Sequence, residues 1–178
     1  PQAVVDGGGV AAVVAAMRQH TADGWVQNDG CGAMLNLAKG DAACKQAVVD
    51  GGGVAAVVAA MGRHTADAVV QRGGIGALQN LLIDAAHDQA IVDGGVVAAV
   101  VAAMGQHTAD AEVQSDGCAA LWHLACGDAA SKQAVLEGGG VAVVVAAMGR
   151  HMADEEVQHW GGKALKNLAF ADAAHHAA

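Results

Sequence analysis

Four histidines, His20, His64, His107 and His151, recur at intervals of 44, 43 and 44 residues. A glycine-rich stretch, DGGGVAAVVAAM, begins at Asp6 and returns at Asp50. Both patterns could carry chemistry. Repeated imidazoles could ladder metal ions, and glycines feeding a helix could cradle a phosphate on free backbone amides. The spacing argues against each. Zinc needs its ligands within about 2.1 Å of one ion, whereas packed helices lie about 8–10 Å apart, so one histidine per unit is too sparse. A phosphate loop follows a strand and runs into Gly-Lys-Ser/Thr. These glycines stand in four equivalent places with no strand pattern before them and no such continuation. The histidines are instead expected to bond free carbonyls at helix C-termini, and the glycines to turn the chain through the left-handed conformation.

Nucleophilic chemistry finds no support either. Cys31, Cys44, Cys118 and Cys126 form no C-x-x-C pair, and the two serines, Ser115 and Ser131, lie in no nucleophile motif. A reactive group needs a base and an orienting partner, and no such set stands apart from the repeat positions. Cys31 and Cys118 occupy equivalent places and read as small buried apolar residues. His175 and His176 could bind metal adventitiously or be remnants of a tag. The chain is therefore expected to be no enzyme, and neither cofactor nor structural metal is expected.

What positions these residues is a repeat. QAVVDGGGVAAVVAAM spans 2–17 and returns letter for letter at 46–61, with altered copies at 89–104 and 133–148. A second block follows each copy: HTADGWVQNDGCGAMLNLA, HTADAVVQRGGIGALQNLL, HTADAEVQSDGCAALWHLA and HMADEEVQHWGGKALKNLA. One residue is missing near Asp84–Gln89, which marks a loop between units. Val10, Val13, Val14 and Met17 fall at i, i+3, i+4 and i+7, the apolar stripe of a middle helix ending near His20. Thr21, Thr65 and Thr108 are expected to cap the next, longer helix, with Asp23, Asp67, Asp110 and Asp154 in its first turn. That helix carries a stripe through Val26, Gly30, Ala33, Met34 and Leu37, repeated in every unit. A glycine inside a helix costs about 1 kcal/mol against alanine. Its return at Gly74, Gly117 and Gly161 marks close helix contact. A short first helix, capped by Asp41 and burying Val48 and Val49, completes the unit. One such unit cannot bury its own apolar faces, but stacked neighbours can.

Composition agrees. Hydrophobic residues are 54% of the 178, nearly all aliphatic, and the one proline is the first residue. Closely packed helices suit that mixture better than an aromatic-rich sandwich. The formal net charge of −9 disfavours a phosphate backbone, so no nucleic acid is expected as partner, and it leans weakly toward a basic one. No apolar run reaches the ~20 residues of a membrane span, and the start lacks the pattern of a signal peptide. The expectation is a non-membrane protein with free thiols in a reducing, cytoplasmic compartment, nuclear and ciliary sites being open as well.

The Gly-Gly-Val turn, the D-x-x-V-Q motif (Asp23/Val26/Gln27, Asp67/Val70/Gln71, Asp110/Val113/Gln114, Asp154/Val157/Gln158) and the endings AMLNLA, ALQNLL, ALWHLA and ALKNLA resemble the armadillo repeat across nearly the whole chain. The resemblance implies an all-α fold, a right-handed α-solenoid with three helices per repeat. The repeats would span roughly 1–45, 46–88, 89–132 and 133–178. Both ends read as cut within a unit, so a segment of a longer array is expected. The near-identity of the copies fits recent duplication and design equally.

In that family the third helices line a concave groove for an extended peptide. The groove asparagine of the family matches Asn36, Asn80 and Asn167, with His123 in the third unit. Nuclear-import adaptors of the family place a tryptophan four residues earlier, where this chain has Gly32, Gly76, Ala119 and Lys163. The walls for lysine stems are thus missing from those places. Opposite the shared stripe the third helix varies between units, and Trp25, Arg72, Trp122, Ile83 and Phe170 fall in that variable set, with Trp160 at its border. The expected groove set is Asn36, Asn80, His123, Asn167, Trp25, Trp122, Arg72 and Lys163, although packing between units accounts for the aromatics as well. The function this implies is a scaffold for a protein or peptide partner. A structural array in a cytoskeletal or ciliary assembly is the alternative, and a regulatory segment of a longer enzyme a third.

Overall fold

A computed structural model describes residues 1–82 and 93–175, with side chains up to residue 169 in the last helix. The missing residue expected near Asp84–Gln89, Ile83, and the side chains of Phe170 and His175 lie outside the described set, as does His176. Among the described residues there are eleven helices and no strand. They are α1 (Gln2–Asp6), α2 (Gly9–Gln19), α3 (Gly24–Ala38), α4 (Ala42–Asp50), α5 (Gly53–Arg63), α6 (Ala68–Leu82), α7 (Val96–Gln106), α8 (Ala111–Cys126), α9 (Ala129–Glu137), α10 (Gly140–Arg150) and α11 (Glu155–His175). The order short, middle, long recurs, and the long helices α3, α6, α8 and α11 pack side by side as the backbone of a solenoid.

The turn from short to middle helix rests on one glycine per unit. Gly8, Gly52, Gly95 and Gly139 have φ of 77°, 77°, 79° and 83°, the only positive values among the described residues. A Cβ at Gly139 would meet only Val101 Cγ1, at 4.0 Å, so space is not the constraint. The left-handed backbone is, because a side chain there crowds the next carbonyl by about 1–2 kcal/mol. Gly139→Ala should therefore lower the unfolding free energy by about 1 kcal/mol, measured by urea denaturation, while alanine at exposed Gly149 should not lower it.

The second glycine position is a packing device. A Cβ built on Gly30, Gly74, Gly117 or Gly161 would stand 2.5–2.6 Å from Cγ of Met17, Met61, Met104 or Met148. Each methionine on a middle helix thus lies directly on the backbone of the long helix that follows. The aliphatic core runs without a break from Val10 to Leu168. It thins over the last unit: Val141 and Val145 are 37% and 54% exposed, whereas Val10 and Val14, their counterparts in the first unit, are 6% and 3% exposed beneath the next unit.

The corner between middle and long helix departs from the sequence expectation. The long helices are capped by aspartate, not threonine. Asp23 Oδ1 accepts from the amides of Trp25 and Val26, and Asp67, Asp110 and Asp154 do the same in their units. Threonine comes two residues too early, and the extended backbone at Asp23 (φ −89°, ψ 106°) aims the carboxylate at the free amides. The histidines also serve differently. His64 Nε2 lies 2.8 Å from the carbonyl of Thr21 in the preceding unit, His107 2.6 Å from Thr65, and His151 2.8 Å from Thr108. A carbonyl only accepts, so Nε2 carries the proton. The free carbonyls of the middle helix fall instead to a buried glutamine. Gln71 Nε2 donates to Met61 and His64, at 2.8 and 2.9 Å, and Gln27, Gln114 and Gln158 repeat this. The short helix α4 begins as expected, with Asp41 accepting from the amide of Cys44, a bond that holds its carboxyl below the ordinary range, and Asp128 does the same for Ser131 at α9.

A candidate peptide-binding face on the third helices

With the corner and the methionine contacts fixed on one side of each long helix, the other side is left to carry whatever varies. Leu35, Arg72, Gly73, Gly76, Gln79, Asn80, Glu112 and Asp116 line an open cavity of about 450 Å³ across α3, α6 and α8. Gly73 and Gly76 let α6 approach α3 closely, since a Cβ on either would stand 3.3 Å from Cys31 Cβ or Leu35 Cδ1.

The expected site residues fall into two groups. Arg72 and Asn80 lie in this cavity, and Asn36 stands exposed on the neighbouring α3. Arg72 is paired with the carboxylate of Glu112 across the α6–α8 boundary. Trp122, His123, Lys163 and Asn167 gather at the α8–α11 boundary. Asn167 Nδ2 donates to Cys126 Sγ at 2.9 Å. The Lys163 ammonium lies 4.2 Å from the ring centre of Trp122 and 4.6 Å from that of Trp160. Burial first, and the charge of Lys163 second, lower the pKa of His123, so its neutral form is favoured. Trp25 joins neither group: it is 80% exposed at the start of α3.

Sequence reasoning missed Asp116 as a site residue. Burial, and then the charge of Glu156, raise its pKa, against a smaller opposing pull from Arg72. Its counterparts are Asp29, Gly73 and Trp160, so aspartate returns in only one of the other three units and did not single the position out. The usable signal was its spacing of four from Glu112 on one helix, which puts both carboxylates on one face.

The cysteines take the inert role expected of them. Burial pushes the thiols of Cys31 and Cys118 up to about 12, far from a reactive thiolate. Among the described residues no group of three or more His, Cys, Asp and Glu side chains could hold a metal ion, and no single helix is long and apolar enough to cross a membrane.

No protein-family model matches the chain, and no curated protein does. Solved structures do. An engineered protein shares 32% identity at a TM-score of 0.82, over 96% of this chain and 66% of its own. A designed armadillo repeat protein in complex with peptide (KR)4 superposes at a TM-score of 0.81 with 20% identity, over 93% of this chain and 66% of its own. Computationally designed armadillo repeat proteins for modular peptide recognition reach 0.75 at 19% identity, over 89% of this chain and 63% of theirs. This chain thus spans a little less than two thirds of the length of each of these neighbours. At such identities the two armadillo designs speak for the fold alone.

Proposed function

We propose that this chain, whose fold is a right-handed, armadillo-like repeat solenoid, is a non-catalytic scaffold that holds an extended peptide with basic side chains along its third helices. The observation that carries the reading is the open cavity spanning α3, α6 and α8, floored by glycines and edged by Asn80, Glu112 and Asp116. An extended peptide leaves its backbone amides and carbonyls free, and a carboxamide can bond both kinds. Asn36 and Asn80 stand one unit apart on adjacent helices, where they can hold successive stretches of such a backbone. With Glu112 paired to Arg72, Asp116 is the carboxylate left to meet a cation, in keeping with a chain of net charge −9. The designed neighbour with peptide (KR)4 supports a basic ligand on a fold of this kind.

The test is calorimetric titration with an alternating Lys-Arg octapeptide and with an alternating Glu-Ser octapeptide. The basic peptide should bind and the acidic one should not. Asn36→Ala combined with Asn80→Ala should weaken the basic peptide about tenfold, roughly the loss of one or two hydrogen bonds, with helicity by circular dichroism unchanged. Equal binding of both peptides, or no effect of the double substitution, overturns the reading.

A further inference from the structure

The groove position that holds Gly76 in the second unit holds Lys163 in the fourth, and Gln79 and Gly73 are matched by Trp122 and Trp160. The same face that is hollow over α6 is therefore filled at the α8–α11 boundary. The filling is specific in its chemistry. The two indoles stand 5.2 Å apart with their planes at 40°, and the ammonium of Lys163 lies over both rings. Among aromatic side chains the indole face attracts a cation best, and one ammonium here lies within reach of two such faces. Among the described residues no carboxylate forms an ion pair with Lys163, so the rings are its described partners. Trp122 and Trp160 are both half-buried, which removes part of the water that would otherwise weaken the attraction.

We infer that Trp122 and Trp160 form a subsite for a side-chain cation of the bound peptide, an arginine guanidinium or lysine ammonium, and that Lys163 is its resident occupant in the free protein. The inference rests on the groove reading above and adds a position and a competitor to it. An incoming cation exchanges with Lys163, whose flexible, half-buried stem swings into solvent at the cost of one ring contact replaced by another. The exchange is nearly balanced, so the native subsite contributes little affinity. Removing the lysine charge leaves the rings open and converts them into a net contributor.

Lys163→Met keeps the stem and removes the charge. Tetramethylammonium chloride, titrated against sodium chloride at equal ionic strength, should give a saturable change in tryptophan emission in Lys163→Met and none in the native chain. Lys163→Arg should behave as native, because a guanidinium still covers the rings. The change should vanish when Trp122→Ala is added to Lys163→Met, which also removes any contribution of Trp25 from the comparison. The Lys-Arg octapeptide should bind Lys163→Met three- to tenfold more tightly than native. If that peptide binds the native chain yet Lys163→Met gains neither the tetramethylammonium response nor affinity, the subsite is overturned and the groove stands. A tetramethylammonium response in Lys163→Met without peptide binding to any variant supports the cation subsite and sinks the groove reading.

Discussion

Replacing Gln71 with alanine lowers the free energy of unfolding by about 3 kcal/mol, read from the urea midpoint and slope. Gln71 is 2% exposed, and its one amide group serves two carbonyls, those of Met61 and His64. The carbonyl of His64 keeps a second donor, the amide of Asp67. The carbonyl of Met61 stands in the last turn of α5, where no amide of that helix reaches it. Orphaning a buried acceptor costs about 1–3 kcal/mol, and the vacated side-chain volume adds packing loss. Gln158→Ala should cost less, since Gln158 is only half-buried and water can take its place. A loss below about 1 kcal/mol at Gln71 would mean that the corner is held by the aspartate cap and the methionine contact alone.

Asp116→Asn is expected to act in opposite directions on stability and on binding. The folded chain raises the pKa of Asp116, so it holds that proton more tightly than the unfolded chain does. Stability then falls as pH rises from the unfolded value through the folded one, and above that window the ionised group is a standing cost. Asparagine removes the cost. The variant should melt higher than native at pH 7 and coincide with it near pH 3, where the native carboxyl is protonated in both states. The same change takes one negative charge from the cavity, and the Lys-Arg octapeptide should bind about tenfold more weakly at low salt, about 1.4 kcal/mol, with the gap closing as salt is added. A charge kept against its own burial is what a cation site requires, so a variant that melts higher without losing the peptide would detach Asp116 from binding.

The fold was legible because its determinants repeat. Val54, Val57 and Met61 on the middle helix and Val70, Gly74 and Leu78 on the long one stand at helical spacing in every unit, and all are buried in the second. What failed was local and directional. Both Thr21 and Asp23 are good caps, and only the backbone angles at Asp23 choose between them. His64 was readable as a helix-end residue, but the bond it makes crosses 43 residues to Thr21, a distance that periodicity cannot convey. The candidate site was legible as a face and not as chemistry. Asn80 and Arg72 could be placed on it from the variable positions, whereas the sharing of Lys163 between Trp122 and Trp160 depends on how far α8 and α11 stand apart. Side-chain partners across a boundary are set by that distance, not by residue type.

The aspartate, glutamine and histidine of each corner have a consequence beyond the geometry they fix. They, with the methionine, settle where a long helix begins, how it meets its own unit and how it meets the one before, and they do so without any residue of the opposite face. That face is thereby left freer to vary, with close approaches such as Gly76 against Leu35 still to respect. Gly76 can stand where another unit has Lys163, or Gln79 where another has Trp122, and the frame is the same. The face of each unit can therefore be rewritten separately, without redesigning the corners that build the stack.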